Sequence, residues 1–292
     1  MIIHSFLNKC NTIIENSKNN SGLNPIIELN GGEIVTRALL YFDINKIKKE
    51  INNNIDITLT KHILKMTNCG SINSSNNVKN NEYVQKKRAS SFDVILFILP
   101  YEWDEGNGFD YQEDYAKESY KQISKDGSTW YKAKNNVSWE DEGIYKREFI
   151  LEEYNKFING ENSIIVGTQH FDKGNENLEI DITNYVNSLL LNENKNLGLC
   201  LSFLPNYETI EDNNYVAFFS NHTNTFFVPY VETFIENTIL DDRANFYLNK
   251  NNKLYFYVSE NGEYLNLDEM PMCIIDEEFY PVKQSQKGIY YT

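Results

Sequence analysis

Four short apolar runs, NSIIVG, LEIDI, LGLCLSFL and YVAFFS, follow one another between residues 162 and 220, punctuated by Asn, Gly and Asp. Many short strands without long intervening helices form antiparallel sandwiches or barrels. Earlier, EIVTRALLYFDI (33–44) sets Ile34, Thr36, Ala38, Leu40 and Phe42 against Val35, Arg37, Leu39 and Tyr41. Both sets are largely apolar, so this strand is expected to be covered on both faces. SFDVILFIL (91–99) is a continuous apolar run closed by Pro100. The expected class is mainly β: an antiparallel, jelly-roll-like β-sandwich with long loops, one short helix and a C-terminal β-hairpin extension. Leu40, Phe42, Leu96, Ile98, Ile180 and Phe218 are its expected core.

Helical signals are sparse. DITNYVNSLLLNE (181–193) places Tyr185, Val186, Leu189 and Leu190 on one face, after Asp181 or Thr183 as N-cap. INKIKKEI (44–51) has the spacing for two turns. Residues 68–90 are polar and aperiodic and end in the basic group Lys86, Lys87 and Arg88, which suits contact with an acidic neighbour. Residues 104–147 form a second insertion rich in Asp, Glu, Tyr and Trp. Both are expected to order mainly against partner chains, since neither has a core of its own. The sandwich then spans 1–236 with these two insertions. Residues 237–292, where NKNN and ENGEY signal hairpin turns, form the C-terminal β extension.

The chain carries 27 Lys and Arg against 42 Asp and Glu, a formal net charge of −15. That balance argues against wrapping nucleic acid, which needs cations to neutralise phosphate. No apolar stretch approaches the length of a membrane span, and the N-terminus lacks the pattern of a signal peptide. Cys10, Cys69, Cys200 and Cys273 are widely spaced with no CxxC pair, so free thiols are expected.

Motifs for chemistry are missing: no GxSxG, Walker A, GxGxxG after a strand, or HExxH. His4, His62, His170 and His222 are scattered, as surface or hydrogen-bonded histidines are. Glu102, Asp104, Glu105, Asp110, Glu113 and Asp114 are hard oxygen donors of the kind calcium takes, but the EF-hand spacing fails. The stretch reads as a solvated acidic loop anchored by Trp103. No catalytic, cofactor or metal site is assigned. The aromatic stretch TFFVPYVETFIE (225–236) contains Pro229, which removes a ladder donor, so its strand is expected at an edge or a bulge. Aromatic edges must be covered, which implies a neighbour. Trp103, Trp130, Trp139, Phe226, Phe227 and Tyr230 are the candidate contact residues, with ordinary core packing as the alternative for each.

Several stretches also fall in a familiar order. NSGLNPIIELNGG followed by TRALLYFDINKI resembles the opening of DNRLRE-type β-sandwich domains, relatives of carbohydrate-binding modules. ILPYEWDEGNG, STWYKAKNNVSWEDEGIY, LEIDITNYVNSLL, NLGLCLSF and YVAFFSNHTNTFFVPYVETFI look like that family's later strands, loop and short helix. The continuation LDDRANFYLNKNNKLYFYV lies outside the usual module, and the whole looks like neck or tail proteins of crAss-like bacteriophages. The resemblance implies a non-enzymatic virion structural protein, assembled in the host cytoplasm as a homo-oligomeric ring between portal and tail. Its partners would be the portal or other ring and tail proteins. DNA would pass through its channel without specific binding, and no membrane would be involved. The alternative is a carbohydrate-binding module or glycan-binding tail component, although no sugar-ligand residue carries over.

Overall fold

The computed structural model describes residues 2–51, 57–70, 91–109, 126–191, 193–209, 214–236 and 239–292. Its centre is an antiparallel eight-stranded sheet built from β1 (Ile2–Ile14), β3 (Thr36–Phe42), β4 (Thr60–Met66), β5 (Phe92–Ile98), β8 (Ile165–Phe171), β9 (Leu178–Asp181), β10 (Leu199–Phe203) and β12 (Tyr230–Ile235). The order is β8-β5-β10-β3-β1-β12-β4-β9.

The long strand β1 turns this sheet into a sandwich. Its first half pairs with β12, Ile2 opposite Phe234 and Phe6 opposite Tyr230, while Leu7 to Ile14 pair with β3 across a register shift between Leu7 and Lys9. A bulge of this kind bends the strand and lets one chain segment serve two layers. The two end strands then meet. The Gln169 side chain donates to the Asn177 carbonyl (2.9 Å) and accepts from the Glu179 N–H (2.6 Å), tying β8 to β9. A small ladder of β2 (Ile26–Asn30) and β11 (Tyr215–Phe219) adds Ile27, Leu29, Val216 and Phe218 to the core.

Between the layers lies the main core, which takes Leu40, Phe42, Leu96, Ile180 and Phe218, with Ile98 packed at its margin. Alternation sends the other residues outward: Leu39, Ile95, Phe97 and Cys200 are all buried in a second core on the far side of β3, β5 and β10. That layer is therefore covered on both faces, as its two-sided apolar pattern requires.

The cover comes from one of the two supposed insertions, and for residues 126–147 this corrects the expectation that the insertion orders against partners. Residues 126–147, with β6 (Lys132–Lys134) and β7 (Val137–Ser138), pack Trp130, Ala133, Trp139 and Ile144 onto the sheet. A helix at Arg147–Ile158 adds Ile150. Residues 71–90 and 110–125, which hold most of the remaining loop expectations, lie outside the described residues.

Two other expectations need correction. There are three helices among the described residues rather than one: α1 (Asn45–Ile51), α2 (Arg147–Ile158) and α3 (Thr183–Leu190). α1 forms the two turns that INKIKKEI offered and α3 is the expected amphipathic helix, but its N-cap is Ile182 rather than Asp181 or Thr183; Asp181 Oδ1 accepts from the Thr183 N–H (2.9 Å). The Pro229 strand is also neither at an edge nor bulged at the proline. β12 begins at Tyr230 and lies inside the sheet, so the missing N–H falls before the ladder, and the Pro229 carbonyl accepts from Leu7 (2.8 Å).

The C-terminal extension is a three-stranded sheet of β13 (Tyr255–Tyr257), β18 (Lys283–Gln286) and β19 (Ile289–Tyr291). Tyr255, Ile289 and Tyr291 form its own small core against Leu59 and Ile239. Two hairpins branch from it, β14 (Ser259–Glu260) with β15 (Glu263–Tyr264), and β16 (Cys273–Ile275) with β17 (Glu278–Tyr280). No described helix is long and apolar enough to cross a membrane.

Candidate interaction surface

The two C-terminal hairpins are specified locally. Each has a two-residue turn with both φ values positive, Asn261 (52°) with Gly262 (87°) and Asp276 (51°) with Glu277 (71°). This turn matches the natural twist of a hairpin, and Asn-Gly is its preferred sequence. Local chemistry does not stabilise a lone two-stranded hairpin much in water, where burial on a third element is needed. Among the described residues that element is missing: Met272 is 77% exposed and Phe279 70%, while Ile274, Tyr257, Tyr264 and Tyr280 are about half exposed. Ile274 and Phe279 are register partners and so share one face of their hairpin.

Charge reinforces the pattern. Residues 254–282 hold Glu260, Glu263, Asp268, Glu269, Asp276, Glu277 and Glu278, and no Lys or Arg. Glu260 and Glu263 face each other directly across the β14–β15 ladder. Like charges in that position destabilise a ladder. The arm is thus both apolar and acidic.

A second uncovered apolar surface lies on the outer face of β1, β12 and β4. Ile2 (60% exposed) stands opposite Phe234, which stands opposite Lys61; Phe6 stands opposite Tyr230, which stands opposite Lys65. Between these rows, His4 and Lys65 hold the Glu232 carboxylate at 3.3 and 2.8 Å. The Lys65 bond, chiefly, keeps Glu232 below the usual carboxylate range. Tyr230 packs on His4, ring centres 4.5 Å apart, and on Phe6 at 5.9 Å.

The six sequence-selected contact residues divide sharply. Phe226 is 99% exposed, Phe227 is half exposed and stacks on Phe219 (5.3 Å), and Tyr230 lies on the outer face just described. Trp103, Trp130 and Trp139 are instead buried in the second core, at 2%, 6% and 5% exposure. Trp139 donates to the Thr129 carbonyl (2.8 Å), and the Arg37 guanidinium lies over Trp130 at 5.2 Å. Trp103 does anchor its acidic loop. Lys9 sits over its ring and that of Tyr41 and donates to the Trp103 carbonyl (3.0 Å). An outward apolar sheet face had to be covered, and these indoles cover it, so they are not presented to a neighbour. The arm residues and Ile2, Phe6 and Phe234 were not singled out in the sequence. The available signal was the ENGEY turn inside the run 254–282, which alternates apolar and acidic residues and has no Lys or Arg.

Two polar clusters elsewhere are hydrogen-bonded within the fold. Glu105 directs its carboxylate at N–H donors, the Cys10 amide (2.9 Å) and the Asn221 side chain (3.2 Å), with the His222 ring nitrogen at 3.1 Å. No cluster of three or more His, Cys, Asp or Glu suited to a metal occurs among the described residues. Ser91 Oγ lies 3.0 Å from His170 Nε2, and His170 Nδ1 lies 2.8 Å from Asp93, which also accepts from Tyr207 (3.0 Å). That is the order of a nucleophilic triad, and the bond to Asp93 raises the His170 pKa. Acyl transfer also needs N–H donors for the oxyanion. In the following turn the amides of Asp172, Lys173 and Asn175 are all taken by Glu176, and the Asp172 carboxylate stands 3.5 Å from His170 Nε2. Asp93 and His170 are register partners, so the cluster pins β5 to β8.

No family model matches the chain, and a search of curated proteins likewise finds no match.

Proposed function

We propose that this chain is a non-enzymatic structural subunit of a virion, one copy of a homo-oligomeric ring in the neck or tail, through which DNA passes. One observation carries the assembly part: a C-terminal arm with well-specified hairpins exposes Met272, Ile274 and Phe279, and none of the described residues buries them. Exposed apolar surface of this extent marks an interaction site. The ordered resemblance to β-sandwich proteins of crAss-like phages supports the virion setting, and the net charge of −15 suits a conduit that must not hold DNA. In a ring each subunit presents two different surfaces, one to each neighbour. The carbohydrate-binding alternative relies on exposed Trp and Tyr stacked against sugar rings; all three tryptophans are buried, whereas Tyr257, Tyr264 and Tyr280 are exposed.

Electron microscopy of particles carrying the labelled protein tests the setting. The expected result is a ring of copies between capsid and tail, around the DNA axis. Isolated copies on the capsid exterior, or a monomer that binds a defined oligosaccharide, would overturn it.

A further inference from the structure

We infer that the C-terminal arm of one copy docks on the outer face of β1, β12 and β4 of a second copy, Ile274 and Phe279 meeting Ile2, Phe6 and Phe234. The inference rests on the assembly reading above and specifies the two surfaces that join. Both are apolar and uncovered on the same chain, so the arm does not lie on its own sheet. Their charges are complementary. The arm stretch 254–282 carries seven carboxylates and no cation. The stretch 44–66, which supplies β4 and the neighbouring helix α1, has Lys46, Lys48, Lys49, Lys61 and Lys65 against only Glu50 and Asp56; Lys61 and Lys65 already pair with Asp181 (3.8 Å) and Glu232 (2.8 Å) on the sheet, so the surplus lies with the lysines of α1. Lys46 lies against this face, donating to the His4 carbonyl (3.1 Å), while Lys61 and Lys65 are on it.

The size also fits. At roughly 150–250 Å² for each large side chain, the arm's exposed apolar groups offer several hundred Å², comparable to one partner's share of a standard interface, about 800 Å². An arm-to-face contact uses a different surface on each partner, so every copy keeps one free arm and one free face. Repetition then closes a ring or extends a filament.

Two variants of the full chain test this. One loses the face (Ile2→Ser with Phe234→Ser), the other the arm (Ile274→Ser with Phe279→Ser). All four residues are about half exposed or more, so both variants should melt as the parent does. Sedimentation velocity should show the parent as an oligomer. Each variant alone should be monomeric, its apparent Kd raised at least about tenfold as for loss of a hot-spot pair. Mixed together, they should form a dimer of two 34.2 kDa chains that grows no further, because one intact arm meets one intact face. A face variant that assembles like the parent, or a mixture that stays monomeric while the parent assembles, overturns this inference and leaves the ring reading standing. A parent chain that remains monomeric overturns both.

Discussion

Asn20→Ala tests whether the acidic loop belongs to the fold. The Asn20 side chain is fully buried and makes four hydrogen bonds. It donates to the carbonyls of Glu105 (2.7 Å) and Ser128 (2.9 Å), and accepts from the amides of Gly22 (3.0 Å) and Gly108 (2.9 Å). The residue thus joins the segment after β1 to the loop behind Trp103 and to the segment leading to Trp130. Truncation leaves the Glu105 carbonyl and the two glycine amides without these partners, whereas the Ser128 carbonyl keeps its bond from Asn11 (2.8 Å). Three buried groups losing partners at about 1–3 kcal/mol each, partly relieved by entering water, gives a loss of about 4 kcal/mol. With an unfolding entropy of about 2.1 cal/mol/K per residue over this length, the Tm should fall by about 6 °C. The melt is read by near-ultraviolet circular dichroism, because Trp103, Trp130 and Trp139 all report on that core. Asn20→Asp keeps the acceptors and loses the donors, so it should fall between, or lower if the new charge is left unpaired. A Tm for Asn20→Ala within 1 °C of the parent would refute the role assigned to this hub.

Three further outcomes follow from the structure. His62 is buried between Thr233 (2.8 Å) and Asn187 (3.2 Å), and burial lowers its pKa to about 4. The unfolded chain, with an ordinary imidazole pKa near 6.5, binds more protons between these values. Stability should therefore be full above about pH 6.5 and decline by up to about 3 kcal/mol as pH falls to 4, a slope that urea melts should find reduced in His62→Gln. Of the four free cysteines, Cys10 and Cys200 are buried and burial pushes both thiols up, Cys10 to about 12, so a thiol reagent should find Cys273 before either and all four only after unfolding. Phe226→Ala should leave the unfolding free energy unchanged within about 0.5 kcal/mol, since the ring is 99% exposed, whereas Trp139→Ala should cost about 3–5 kcal/mol.

The strands read most easily from the sequence are β3, β5 and β10, whose two-sided apolar pattern follows from lying between two cores. β1 was harder to see although it organises the sandwich. Its pattern is interrupted by buried Ser5, Asn11 and Thr12, and Asn11 is matched by Ser128 and Ser21, partners 117 and 10 residues away. α2 was hidden for a similar reason. Its inner face holds Glu153, a buried carboxylate that accepts from Lys156 (2.6 Å) and the Ile164 amide (2.9 Å). Residue type alone also does not separate an indole that covers a sheet from one that meets a neighbour; the second core made that choice for all three tryptophans. Of the arm's two hairpin turns, ENGEY was legible because Asn-Gly sets its own positive φ values, while the Asp276–Glu277 turn was not read and NKNN (249–252) lies ahead of β13 without joining two strands; the lack of cover is a property of the whole fold.

Electron microscopy of the purified chain, over a range of concentrations, tests the central claim most directly. Closed rings of identical copies around an open channel are predicted. Discrete monomers at every concentration, or two-fold dimers joined through one shared patch, would contradict it.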